Sequence, residues 1–147
     1  MLKGIPKILS PELLKVLCEM GHGDAICIGD GNFPAESMGK NAIVLRYDGH
    51  SIPELLDAIL SVFPLDPFVE QPVSFMSTVG SPTPVNPTIW NEYIDIISKY
   101  DDRGASAIQY LERFNYYDES KKCYAIIATG ESASYANIIL KKGCVSQ

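Results

Sequence analysis

Short apolar segments alternate with segments of helical periodicity along the chain, and this alternation limits the fold more than any other feature. The apolar segments are about five residues long and bounded by glycine, proline or polar residues, as expected for buried strands. The helical segments place apolar residues three or four positions apart. We therefore predict an α/β domain with a mostly parallel sheet. Strands are predicted near 25–28, 42–46, 73–79, 107–111, 124–128 and 137–140, and helices near 11–20, 51–60, 86–97 and 115–121.

The size and charge of the chain limit the number of domains and the kinds of partner that it can have. Its 147 residues suit one domain, residues 1–147. The formal net charge of -6 argues against nucleic acid and membrane as partners, because phosphate groups would be repelled by this surface. The N-terminus has no signal-peptide pattern, and no apolar run approaches the ~20 residues of a membrane span. Together with the four cysteines, which form no CxxC pair, these features fit a reduced, cytoplasmic protein, and that location is expected.

His22 is the first candidate for acid–base chemistry. Ser10 and Pro11 predict the start of a helix that Gly21 ends, so His22 falls in a tight loop between Gly21 and Gly23. Glycine neighbours let the backbone bend sharply, and histidine both donates and accepts protons near neutral pH. On these residues alone, a loop histidine that bonds a backbone carbonyl is the more common case, and a functional role is the alternative.

Asp30 follows the first predicted strand and lies between Gly29 and Gly31. In open α/β sheets ligands bind beyond the carboxyl ends of strands, so this carboxylate is placed to hold a substrate hydroxyl. A turn aspartate that bonds its own backbone has the same local sequence. The glycines are not a dinucleotide fingerprint, because GxGxxG is absent and no long apolar helix follows.

Two further segments combine aromatic and hydrogen-bonding groups, and the first of them suits a sugar. Residues 113–118 (RFNYYD) combine an arginine with aromatic rings, and such rings favour the C–H face of a sugar while Arg and Tyr serve its hydroxyls. Residues 135–137 (YAN) precede the last predicted strand. A helix edge and a strand entry would have the same composition, so the ordinary structural role stays open for both segments.

Other chemistries lack their motifs. Residues 130–134 (GESAS) do not form GxSxG, and no Walker-type loop is present. His22, Asp24 and Asp30 make only a weak set of metal ligands, and we predict no metal site.

In their order along the chain, several segments resemble the family of ribose pyranases and fucose mutarotases (RbsD/FucU type). The resemblance extends from Leu2 to Val145. Its most specific parts are SPELL at 10–14, MGHGD at 20–24, Asp30 with FPA at 33–35, Arg113-Phe114 with Tyr117, TGE at 129–131 and YANIILKKG at 135–143. So many ordered segments are not expected by chance, and the resemblance therefore favours the functional role for His22.

The resemblance implies a three-layer α/β/α domain that interconverts sugar anomers without a cofactor. It implies that His22 is the proton donor. In the mechanism that follows, Asp30 holds a sugar hydroxyl and orients or supports the histidine, while Tyr117 and Tyr135 are alternatives for a second acid or base. The residues expected to bind the sugar are Asp30, Arg113, Tyr135, Ala136 and Asn137.

Within the family, Gly23 and the pattern Arg113-Phe114-x-x-Tyr117 favour the fucose branch, whereas Ala136 is typical of the ribose branch. The expected substrate is L-fucose. A D-ribose pyranase and a non-catalytic monosaccharide-binding protein of fucose metabolism are the alternatives. Family members assemble into rings, commonly decamers of two stacked pentamers with sites near subunit contacts, so a homodecamer is expected. Residues 98–106 (SKYDDRGAS) match neither branch.

Overall fold

The structure, a computed structural model, describes residues 1–146. Helices and strands alternate from the first element to β5, and all of them except α2 correspond to segments predicted from the sequence. In chain order the elements are α1 (Pro11–Glu19), β1 (Ala25–Gly29), α2 (Ala35–Met38), β2 (Ile43–Tyr47), α3 (Ile52–Leu60), β3 (Val73–Met76), α4 (Ile89–Tyr100), a 3₁₀ turn (Gly104–Ala107), β4 (Ile108–Leu111), α5 (Arg113–Lys121), β5 (Ala125–Thr129) and β6 (Ile138–Lys141).

The six strands form one sheet in the order β2-β5-β1-β6-β3-β4. The predicted mostly parallel sheet is confirmed, since only β6 runs antiparallel to its neighbours, β1 and β3. The connection between β5 and β6, residues 130–137, explains this direction, because a parallel crossover needs a dozen or more residues. Since β1 lies between β5 and β6, this short connection crosses the carboxyl end of β1.

Helices cover both faces of the sheet, which confirms the three-layer α/β/α arrangement. Helices α1, α3 and α4 pack on one face, and α2 and α5 pack on the other. The alternation of side chains along β1 divides them between the two cores: Ile26 and Ile28 join the first, and Cys27 joins the second. Each core combines residues of the predicted strands with the apolar faces of the helices that cover them.

Three details differ from the sequence-based expectations. The short helix α2 was not predicted. Strand β3 ends at Met76 rather than near residue 79, and a turn follows, in which Ser81 N–H donates to the Thr78 carbonyl. Ser51 precedes α3 as predicted, but its side chain does not cap the helix. Instead the Ile52 N–H donates at 3.1 Å to the carboxylate of Glu131, which lies 79 residues after Ile52.

All four cysteines, at positions 18, 27, 123 and 144, are free thiols. None of the helices in residues 1–146 is both long enough and apolar enough to cross a bilayer.

Candidate active site

A pocket of about 220 Å³ lies at the carboxyl end of β1, beside the connection between β5 and β6. It brings together five residues that the sequence analysis selected. Those residues are Asp30, Arg113, Tyr117, Tyr135 and Asn137. The lining also includes Asn32, Phe33, Met76 and Ser134, which the sequence analysis did not select. Ala136 is fully buried behind the pocket and contributes its backbone.

Asp30 is buried, with 7% of its surface exposed. Its Oδ1 accepts the Asn32 N–H at 3.0 Å, the turn geometry that was the ordinary alternative for this residue. Asp30 therefore forms the turn and also lines the pocket. Burial raises the pKa of the Asp30 carboxyl, while hydrogen bonds from the backbone of Asn32 and Ala136 act in the opposite direction. The carboxylate is held rigidly and retains acceptor capacity for a ligand hydroxyl.

The Asn137 amide is oriented by the backbone of Asp30. Its Oδ1 accepts the Asp30 N–H at 2.8 Å, although the two residues are 107 positions apart. Because the amide oxygen is used in this way, the Nδ2 group is the part of Asn137 that is free to donate to a ligand. Asp30 and Asn137 therefore offer an acceptor and a donor side by side.

An aromatic and cationic wall closes the pocket on the side of α5. Glu112 caps this helix by accepting the Phe114 N–H at 2.9 Å, and Arg113 is its first residue. The Arg113 guanidinium lies 5.6 Å from the centre of the Tyr117 ring, and the Tyr117 ring lies 6.0 Å from that of Phe33. These rings give the pocket an aromatic lining, and Arg113 adds donors and a positive charge.

His22 does not line this pocket. It lies in the loop before β1, whereas Asp30 lies directly after β1, so the two residues occupy opposite ends of the same strand. A strand of five residues spans about 17 Å, which is much longer than a histidine side chain. Within one chain, therefore, Asp30 does not orient His22, and His22 does not reach a ligand bound at Asp30.

The neighbour of His22 is Asp66 instead. The distance from His22 Nε2 to Asp66 Oδ1 is 3.0 Å, and the same oxygen accepts the Phe68 N–H at 3.0 Å. Burial opposes ionisation of Asp66, but the hydrogen bonds from Phe68 and His22 outweigh it and lower the pKa of Asp66. The His22 side chain remains 44% exposed and packs on the Phe68 ring at 5.2 Å. The structure thus presents an exposed imidazole fixed by a buried carboxylate.

The loop that carries Asp66 is anchored by the segment that matched neither branch of the family. Arg103 donates to the Val69 carbonyl at 2.8 Å and to the Asp66 carbonyl at 3.1 Å. Asp101 pairs with Arg103 at 2.8 Å and fixes its direction. The sequence carries a turn signal at Asp66, but nothing in it connects this residue with His22, which is 44 positions away.

No group of three or more His, Cys, Asp or Glu side chains within the described residues is arranged to hold a metal ion.

Comparisons with known proteins agree with this fold. Residues 3–145 match the RbsD / FucU transport protein family. A mouse fucose mutarotase is 46% identical over 145 residues, which cover 97% of this chain and 94% of the mouse protein. The crystal structure of FucU from Bifidobacterium longum has 60% identity and a TM-score of 0.94, and the match covers 98% of this chain and 100% of that one. The crystal structure of the fucose mutarotase from Streptococcus pneumoniae in complex with L-fucose has 48% identity and a TM-score of 0.90, with 99% and 100% covered. This chain therefore belongs to the RbsD/FucU family.

Proposed function

We propose that this protein is an L-fucose mutarotase, which interconverts the α- and β-anomers of L-fucose. The observation that carries the proposal is the pocket at the carboxyl end of β1, where Asp30, Asn137 and Arg113 converge beside aromatic rings. The relatives named fucose mutarotase, one of them with L-fucose bound, support this choice of sugar.

The pocket matches a small sugar chemically. A monosaccharide presents hydroxyl groups at its edge and C–H groups on its faces. Asp30 accepts from hydroxyls, while Asn137 Nδ2 and Arg113 donate to them. Phe33 and Tyr117 offer aromatic faces for the C–H side of the ring.

The reaction consists of proton transfers. One group removes the proton of the anomeric hydroxyl while another protonates the ring oxygen, and the C–O bond between C1 and the ring oxygen breaks. The open-chain aldehyde then rotates about C1–C2, and the ring closes on the opposite face with the two transfers reversed. Atoms and charge balance without a redox partner, so we propose that no cofactor takes part.

We assign the proton donor to His22 and the second acid or base to Tyr117. Asp66 is a positioning residue, since its contact with Nε2 holds the ring and stabilises the imidazolium. Tyr117 ranks before Tyr135 because the Arg113 guanidinium lies beside it, 5.6 Å from the centre of its ring. Tyr135 and the Ala136 backbone then bind the sugar with Asp30, Arg113 and Asn137.

This assignment requires a second copy of the chain. Since His22 and Asp30 lie at opposite ends of β1, we propose that the partner subunit's His22 completes each pocket. Two exposed aromatic residues support such a contact: Phe68, 77% exposed, lies against His22, and Phe114, 67% exposed, lies beside Arg113. A head-to-tail contact closes into a ring when its rotation returns to the first subunit, and we propose such a ring here, in a decamer of two stacked pentamers.

We also propose a cytoplasmic location. The four free thiols, two of them exposed at Cys18 and Cys144, suit a reducing compartment.

The test is exchange between the α- and β-anomers of L-fucose, followed by saturation-difference NMR. We expect the wild-type protein to accelerate exchange above the buffer rate, and His22→Ala to lower this rate by about 10²–10⁴-fold. His50→Ala is the matched control, because His50 is the other histidine and is exposed. His22→Ala with wild-type activity would refute the assignment of His22. Binding of fucose without accelerated exchange would refute the proposed enzymatic activity. Faster conversion of D-ribose than of L-fucose would refute the choice of substrate.

A further inference from the structure

Two aromatic side chains of α4 hold consecutive carbonyl groups behind the pocket. Trp90 Nε1 donates to the Tyr135 carbonyl at 2.9 Å, and the Tyr93 hydroxyl donates to the Ala136 carbonyl at 2.7 Å. Residues three apart on a helix share a face, so the two donors point in the same direction. Neither residue lines the pocket, and the proposed mechanism uses neither.

The backbone that they hold is in an unfavourable conformation. Tyr135 has φ 56°, and in the described part of the chain it is the only residue other than glycine with a positive φ. An L-residue with a Cβ atom rarely adopts this region unless the surroundings impose it. The two donors from α4 supply such a constraint.

The geometry of the peptide bond transmits this constraint to the pocket. The C=O and N–H of a trans peptide point in opposite directions. When Trp90 draws the Tyr135 carbonyl toward α4, the Ala136 N–H therefore points away from α4, and it hydrogen-bonds the Asp30 carboxylate. The next residue, Asn137, receives the Asp30 N–H on its side chain. Asp30 is thus tied at two points to a backbone segment that α4 fixes from behind.

Both groups keep the proton that they donate. Tyr93 is fully buried, and this burial, together with the charges of Glu131 and Asp30, raises the pKa of Tyr93 far above its ordinary value. The phenol therefore stays protonated and always donates to the carbonyl. The indole N–H of Trp90 is a donor only.

We propose that Trp90 and Tyr93 are positioning residues of the sugar site, which set the conformation of residues 135–137 and thereby the placement of Asp30 and Asn137. The inference rests on the proposed mutarotase function. It predicts that removing either donor weakens sugar binding more than it slows the proton transfers. His22 keeps its contact with Asp66 and Tyr117 keeps its contact with Arg113, and neither contact involves α4.

The test uses the full-length protein with Trp90→Phe and Tyr93→Phe, which keep an aromatic ring and remove the donor. Tyr110→Phe is the matched control, since Tyr110 packs on the Phe75 and Trp90 rings but is itself 50% exposed. Ile97→Val, at a fully buried position of α4, controls for a general loss of stability. For each protein, the KM and kcat of fucose exchange are measured by NMR. Deuterium uptake of the segment 134–138 is measured by mass spectrometry without sugar.

We expect both test variants to raise KM about tenfold, with kcat within about twofold of wild type, and to speed deuterium uptake in the segment 134–138. The two controls should change neither the KM nor that uptake. Unchanged uptake, faster uptake with unchanged KM, or an equal rise in KM for Ile97→Val would each overturn the inference. A wild-type protein that fails to accelerate exchange would instead overturn the proposed function, and the uptake measurement would still show whether α4 holds the segment.

Discussion

The separation of His22 from Asp30 leads to a test in which two inactive variants restore each other. His22→Ala removes the proposed donor, and Asp30→Asn removes the carboxylate at the other end of β1. If each site combines the histidine of one subunit with the pocket of the next, an Asp30→Asn subunit still supplies His22 and a His22→Ala subunit still supplies the pocket. A ring that contains both variants then has some intact sites.

The expected recovery follows from counting subunit contacts. In a random ring from a 1:1 mixture, a site is intact only when its histidine comes from an Asp30→Asn subunit and its pocket from a His22→Ala subunit. Each condition has a probability of one half, so about one quarter of the wild-type rate should return. A site built within one chain would return nothing, because no subunit carries both residues.

The variants are unfolded together in urea, refolded and checked for mixed rings by native mass spectrometry before fucose exchange is measured by NMR. A matched experiment mixes wild type 1:1 with the double variant His22→Ala/Asp30→Asn. Shared sites predict about one quarter of the full rate, whereas sites within one chain predict about one half. Mixed rings with no more activity than the separate variants would refute the shared site.

Substitutions at three positions test individual residues. Asp30→Asn should raise the urea midpoint of unfolding at pH 7, although it lowers activity. Burial raises the pKa of Asp30 in the folded state, so the stability that the protonated carboxyl contributes is present at low pH and is lost as the pH rises through that pKa. The difference in midpoint should vanish at low pH, and a lower midpoint at pH 7 would contradict this reasoning. Asp66→Asn should lower kcat by about tenfold or more, because an amide holds the His22 ring but does not stabilise its charged form; an unchanged kcat would exclude the positioning role. Glu131→Ala should lower the free energy of unfolding by about 2–4 kcal/mol, since the buried Ile52 N–H loses its acceptor and α3 its cap, and Glu131→Gln should cost less; equal losses for the two variants would argue against the cap.

Features set by neighbouring residues could be predicted from the sequence. Ser10 caps α1 by accepting the Leu13 N–H, as the Ser-Pro pair predicts, and the apolar segments became strands within a few residues of their expected bounds. Asp30 was selected because parallel strands present their carboxyl ends to ligands, and the pocket does lie there.

Features set by distant contacts could not be predicted. The cap of α3 comes from Glu131, and the neighbour of His22 is Asp66; in both pairs the partner is known only once the chain has folded. Family resemblance suggested a single group of site residues. It did not reveal that β1 separates them, because a list of residues contains no distances.

Each half of the proposed site is held by hydrogen bonds within its own subunit, so the contact between subunits is the part that can vary. His22 is fixed by Asp66, which Arg103 anchors, and Asp30 is held by hydrogen bonds at its backbone N–H and at its carboxylate. Acid–base catalysis depends on distances of about 3 Å, so a small shift between subunits should slow the reaction.

Phe68→Ser removes an exposed aromatic side chain beside His22. We expect it to weaken the assembly of subunits and to lower the exchange rate. The unfolding free energy of the subunit should change by less than about 0.5 kcal/mol. Sedimentation and NMR exchange measured over a dilution series would show activity falling together with the assembled fraction, and Val145→Ser, another exposed apolar position, is the control. Full activity in a dissociated Phe68→Ser subunit would show that one chain contains the whole site.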